Sequence, residues 1–300
     1  MGRSPNTISN ELRRNRVRGQ YEPAKASHKA YARRKYAKYQ GMKIVHNDSL
    51  RHEVRTRLLD DQSPEAIAGY IRRNKILPAI SKNSIYRYIA SPYGRRIETH
   101  RRLKKKRRCG KRTPYAHLVS RTFIGKRPLY INARARIGDT EADFIVSGKL
   151  GKGILLVVVD RKARTVFIEQ ICPATIPNME SAFLCIKKRF PEMKTVTTDN
   201  DILFQRHGEL ARVLGVKIYF CHPYHSWEKG TVENANKVIR RDIPKGSDIS
   251  RYSKHFIEAV EQKLNRRPMK CLDYETPQEI LNTYRERRNK KTPFESRCPN

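Results

Sequence analysis

The sequence predicts a multidomain chain of two architectures: an all-α N-terminal region, then an α/β core in which a five-stranded mixed sheet packs with helices. Three observations predict it. Apolar residues recur at helical spacing up to residue 91, strand-like runs replace them from Ile137 onward, and the stretch between is too densely basic to fold on itself. The expected division is a partial helix-turn-helix at 1–20, a helical region with a second helix-turn-helix at 21–91, a basic linker at 92–136, the α/β core at 137–285 and a basic tail at 286–300.

The 300 residues carry 65 Lys and Arg against 29 Asp and Glu, a net charge of +36, which makes a polyanion the expected partner. Residues 92–136 hold 16 basic side chains and a single acidic one. Within them the run Arg101-Arg102-Leu103-Lys104-Lys105-Lys106-Arg107-Arg108 repels itself and should stay extended until phosphates neutralise it. No run approaches the roughly 18 apolar residues that span a bilayer, and Met1-Gly2-Arg3-Ser4-Pro5 opens without an apolar signal segment. Neither a membrane partner nor secretion is expected. The six cysteines form no C-x-x-C pair, which suits a reducing compartment and speaks against a disulfide framework or a zinc ribbon.

In the first region, Ser63-Pro64-Glu65-Ala66-Ile67-Ala68-Gly69-Tyr70-Ile71 carries a helix start, with Ser63 as N-cap, Pro64 at the first helical position and Glu65 in the first turn. After a break at Pro78, Ser81 caps a second helix whose Ile85, Tyr88 and Ile89 face inward and whose Lys82, Asn83, Tyr86 and Arg87 face out. This is a helix-turn-helix layout with a long connection; Asn and Arg suit adenine and guanine edges in the major groove. An ordinary helical hairpin with a polar face is the alternative. Arg3 to Asn15 predicts another recognition helix, capped at Ser4, with Ile8 and Leu12 inward and Asn6, Asn10, Arg13 and Arg14 available to DNA. No supporting helix precedes it, so it is expected to form part of a motif only.

From Ile137 the elements follow in the order βββαβαβα. Strands are predicted at Asp139–Val146, Ile154–Asp160, Thr165–Ile171, Thr195–Thr198 and Lys217–Cys221, helices over about 178–190 and 208–214, and a last helix over about 227–241. That order is the order of the ribonuclease-H-like fold, whose strand ends converge on an acidic site. Cutting or transferring a phosphodiester needs two hard cations about 3.5–4 Å apart, and Mg²⁺ takes carboxylate and water ligands. Asp143 on the first strand, Asp199 at the end of the fourth and Glu233 in the last helix are the expected ligands. Asp139 and Glu141 share a strand face with Asp143 by parity, and Asp160 and Asp201 also compete. His222 and His225, beside Cys221, have no second ligand cluster and read as structural residues.

Gly138-Asp139-Thr140-Glu141-Ala142-Asp143, then Thr198-Asp199-Asn200 with Phe204, then Trp227-Glu228-Lys229-Gly230-Thr231-Val232-Glu233-Asn234-Ala235-Asn236-Lys237 through Arg241 resemble the DDE transposases of the IS-thirty family of bacterial insertion sequences. Thirty-three residues separate Asp199 from Glu233, as in that family, and Leu264-Asn265-Arg266-Arg267-Pro268 with Thr276-Pro277-Gln278-Glu279 resembles its closing segment. The chain departs from the family pattern at Thr140, Ala142 and Asp201, where tryptophan, glycine and glycine are usual.

The resemblance implies a metal-dependent enzyme that cuts DNA at the terminal inverted repeats of an insertion sequence and transfers the freed strand. Asp143, Asp199 and Glu233 would hold two Mg²⁺ or Mn²⁺ ions. Trp227, Lys229, Asn236, Lys237, Arg240 and Arg241 would position phosphates, joined by Lys104, Lys105, Lys106, Arg107 and Arg108 of the linker. The implied partners are double-stranded DNA, both terminal repeats and target, and further copies of the chain on DNA. No organic cofactor is implied, and the implied location is the cytoplasm, at the nucleoid. A catalytically inactive, truncated remnant that only binds DNA is the alternative reading.

Overall fold

The computed structural model describes residues 2–16, 19–37, 42–98, 121–148, 151–223 and 225–291. The chain divides into two compact units, Met1–Lys105 and Lys106–Asn300.

The first unit is helical: α1 (Pro5–Asn15), α2 (Pro23–Ala37), α3 (Lys43–His46), α4 (Asp48–Leu59), α5 (Pro64–Asn74) and α6 (Lys82–Ala90). The Ser63 and Ser81 hydroxyls accept the N–H groups of Ala66 (3.2 Å) and Ser84 (3.1 Å), satisfying donors that the first turns of α5 and α6 leave free. Leu50, Val54 and Leu58 of α4, Ile67 and Ile71 of α5, and Ile85, Tyr88 and Ile89 of α6 close one core. Lys82, Asn83, Tyr86 and Arg87 remain exposed on α6. The helix α1 differs from expectation. Ile8 is 45% exposed and Leu12 only half-buried, because no described element covers that face. The helix is held from its C-terminal end instead, where Asn15 accepts from Arg33 of α2 and donates to Glu11.

The second unit carries α7 (Leu129–Asn132), β1 (Asp139–Val146), β2 (Ile154–Asp160), β3 (Val166–Ile171), α8 (Ile176–Arg189), β4 (Thr195–Thr198), α9 (His207–Leu214), β5 (Lys217–Phe220), α10 (Gly230–Asp242), α11 (Lys254–Asn265) and α12 (Pro277–Lys291). The sheet order is β3-β2-β1-β4-β5, antiparallel from β1 to β3 and parallel from β1 through β4 to β5. Strand β2 is buried on both faces, as its unbroken apolar sequence requires. One face packs Ala142, Leu156, Val158, Val196 and Phe220 against α8, α9 and α12; the other packs Ile145, Leu155, Val157 and Ile168 against α10 and α11. This is the ribonuclease-H-like fold.

The helix expected last in the chain, near 227–241, is followed by two more, α11 and α12. Their starts were present in the sequence: Ser253 caps α11, whose Ile257, Val260 and Leu264 are buried, and Thr276 and Glu279 exchange a reciprocal pair of cap bonds at α12. Helix α12 runs through the 285/286 boundary to Lys291. The stretch 92–136 is ordered at both ends, because it contains apolar residues that find burial. Ile97 enters the core of the first unit, Phe123 pairs with Phe220 at the edge of β5, and Ile131 is fully buried. Lys104, Lys105, Lys106, Arg107 and Arg108, and residues 292–300, lie outside the described residues.

Candidate active site

The parallel register aligns Asp139 with Thr195 and Glu141 with Thr197; carried two residues further, it sets Asp143 beside Asp199. Neighbouring strands lie about 4.8 Å apart, so two carboxylates are placed where their charges repel. Lys229 answers that repulsion. It is 5% exposed, and its Nζ sits 2.9 Å from Asp143 Oδ1 and 3.2 Å from Asp199 Oδ2. Asn236 Nδ2 donates to the other Asp143 oxygen at 2.7 Å. Burial pushes the Asp143 carboxyl up, the Lys229 ammonium pulls it down and Asp199 pushes it up again, leaving it above the usual carboxylate range. Burial lowers the Lys229 ammonium, but the carboxylates of Asp143 and Asp199 more than reverse this and hold it above its ordinary value.

Lys229 and Asn236 reach Asp143 because α10 is anchored by a different acid. Glu141 is 1% exposed, and its carboxylate accepts the N–H groups of Thr231 (2.8 Å) and Val232 (3.0 Å) in the first turn of α10 and the Thr231 hydroxyl (3.0 Å). It also pairs with the buried Arg161 at 3.0 Å. A carboxylate on β1 thus does the work of an N-cap for a helix ninety residues away, where the macrodipole favours negative charge.

Glu233 lies on α10 one turn before Asn236 and is half-buried; its nearest cation is Lys237, at 3.9 Å. Among the described residues no group of three or more His, Cys, Asp and Glu comes close enough to hold a metal. The structure brings Asp143 and Asp199 together around Lys229 and does not add Glu233 to that cluster. The remaining acids have local partners. Asp139 pairs with Arg136 and accepts from Thr195, and Asp160 accepts the N–H groups of Gly138, Lys162 and Ala163. Asp201 has φ −68°, a conformation that needs no glycine, and its carboxylate accepts the Leu203 N–H at 2.9 Å, starting the turn Ile202–Arg206. Thr140 donates to the Thr195 carbonyl, and Ala142 is fully buried on the face away from α10.

Of the side chains expected to position phosphates, Trp227 is 69% exposed, and Lys237 and Arg241 are also exposed. Arg240 donates to the carbonyls of Val146 and Pro244, and Lys229 and Asn236 are turned onto Asp143. In the first unit Asn6, Asn10, Arg13 and Arg14 are exposed on α1. His222 hydrogen-bonds Glu228 at 2.9 Å and stacks on Phe123, while burial pushes the neighbouring Cys221 thiol up to about 12.

Two observations bear on a divalent cation. Asp199 Oδ1 and Asn236 Oδ1 are buried without any donor, and the space between the two aspartates already holds a positive charge. Hard oxygens of this kind suit Mg²⁺ or Mn²⁺.

The sheet order, with Asp143 on β1 and Asp199 just past the end of β4, is that of a ribonuclease-H-like core. No family model matches the chain. It is 36% identical over 287 residues to the transposase for insertion sequence element IS4351 of Bacteroides fragilis, an alignment covering 93% of this chain and 86% of that protein. It is 32% identical over 299 residues to the transposase InsI for insertion sequence element IS30A of Escherichia coli K12, covering 94% and 76%. The chain belongs to the IS30 family of insertion-sequence transposases. Among solved structures, the catalytic core domain of BIV integrase matches at 19% identity and a TM-score of 0.38, over 50% of this chain and 97% of that one. The HTLV-2 integrase catalytic core in complex with magnesium matches at 21% and 0.38, over 48% and 96%.

Proposed function

We propose that this transposase binds the terminal inverted repeats of its insertion sequence through the helical unit and cuts and joins DNA strands at Asp143, Asp199 and Glu233. The observation that carries the reading is the pairing of Asp143 with Asp199 around a positive charge, against the helix that bears Glu233. Asp143, Asp199 and Glu233 would hold Mg²⁺ or Mn²⁺, which would supply activation of an attacking oxygen and stabilisation of the leaving oxygen at a phosphodiester. Asn236 fixes the rotamer of Asp143, and Glu141 holds α10 in register so that Asn236 reaches β1. Exposed Lys237 and Arg241 offer charge to the DNA backbone and Trp227 a face for a base. On α6, Lys82, Asn83, Tyr86 and Arg87 form the outward face that would enter the major groove.

The test uses duplexes bearing the ends of the element, with and without Mg²⁺. Asp143→Ala, Asp199→Ala and Glu233→Ala are each expected to abolish cleavage and joining while DNA is still retained; a variant that still joins strands removes its residue from the site. The pairing of Glu233 with Lys237 favours, as a second reading, a chain that binds DNA without cutting it. Retention of DNA with no cleavage by the wild type in either Mg²⁺ or Mn²⁺ would select that reading.

A further inference from the structure

We propose that Lys229 is the built-in counter-cation of the acidic site: its ammonium holds Asp143 and Asp199 together before a metal arrives, and a divalent ion enters by displacing it. The inference rests on the metal-binding reading above. Its ground is geometric. Lys229 precedes α10 at the end of the turn Ser226–Lys229, a position from which its side chain reaches both carboxylates. A lysine 5% exposed is costly to bury unless its charge is answered, and here two carboxylates answer it. The aspartates have the same need: β1 and β4 pair in parallel as far as Glu141 and Thr197, and Asp143 and Asp199 follow two residues later, both within reach of one ammonium.

A cation bound by both carboxylates and an ammonium bound by both cannot occupy the same place. An ion that bridges Asp143 Oδ1 and Asp199 Oδ2, the two oxygens that Lys229 holds, can do so only when both bonds of Lys229 are broken. An added Cβ at Gly230 would meet no atom within 4 Å, so open space adjoins the residue that follows Lys229. The displaced ammonium then regains water. Metal affinity is thereby set by a competition within the protein, and the apo site keeps its aspartates aligned.

The experiment measures free Mn²⁺ by electron paramagnetic resonance and, separately, the acetylation of Lys229 by site-resolved mass spectrometry, on the full chain without DNA. Lys229→Gln and Lys229→Met are expected to bind Mn²⁺ roughly tenfold or more tightly than wild type. In the wild type, Lys229 is expected to resist acetylation without metal and to become reactive as Mn²⁺ saturates the site, a change that Asp143→Asn should abolish. The acetylation arm needs no substitution at Lys229, so a variant that fails to fold leaves the proposal testable. If Mn²⁺ binds through Asp143 while Lys229 stays unreactive, the displacement is wrong and the metal site stands. If Mn²⁺ binds to neither wild type nor variant, the metal site and the displacement fall together.

Discussion

Glu141 and Asp143 lie two positions apart on one face of β1, and their partners give them different work. Glu141 is saturated by backbone N–H groups, a hydroxyl and Arg161, whereas Asp143 is held chiefly by the side chains of Lys229 and Asn236, which can move. Glu141→Ala leaves Arg161 buried without its carboxylate and strips the first turn of α10. Denaturant unfolding should therefore show a loss of about 3–5 kcal/mol. Asp160 supplies a pH signature. Burial pushes its carboxyl up to about 6, above the ordinary 3.8, despite the three N–H groups it accepts. Between those values the native state binds more protons than the unfolded chain. Stability from this group is thus greatest below pH 4 and falls by about 3 kcal/mol as pH rises through 6. Thermal unfolding from pH 4 to 7 should show the wild type losing stability relative to Asp160→Asn; parallel profiles would remove Asp160 as the source. Parity alone placed Asp139, Glu141 and Asp143 on a common face. It did not say which of them a helix N-terminus would claim.

At the scale of elements, the strands were legible because β2 is continuously apolar and the stretch Thr165–Ile171 alternates, and α5 and α6 were legible because Ser63, Pro64 and Ser81 mark their starts. Helices α11 and α12 carried equally readable caps but fall in a charged stretch where loop was the easier reading. The reciprocal bonds of Thr276 and Glu279 predict that Thr276→Ala destabilises the second unit by about 1 kcal/mol, measured by urea denaturation. On α6, Arg87→Ala combined with Asn83→Ala should weaken binding to the element's ends by about 1–3 kcal/mol per lost base contact. Binding to unrelated duplexes should change far less. Equal losses on both DNAs would make these residues backbone contacts only.

For the whole molecule, the net charge of +36 is the dominant fact. Affinity for any duplex should fall steeply with salt, and substituting Lys104, Lys105, Lys106, Arg107 and Arg108 by Gln should flatten the log–log slope by up to about 4.5. An unchanged slope would show that this run makes no phosphate contacts. No described helix is long and apolar enough to cross a membrane.

The sequence by itself determined the order of strands, the helix starts, the basic character and the spacing of Asp143, Asp199 and Glu233, because periodicity, caps and charge are local properties of a chain. Only the tertiary structure decided that β1 and β4 pair in parallel, that Glu141 caps α10, and that Lys229 rather than Glu233 completes the cluster around Asp143 and Asp199. Those outcomes depend on which buried charges end up beside one another, and burial brings together residues as far apart as Asp143 and Lys229.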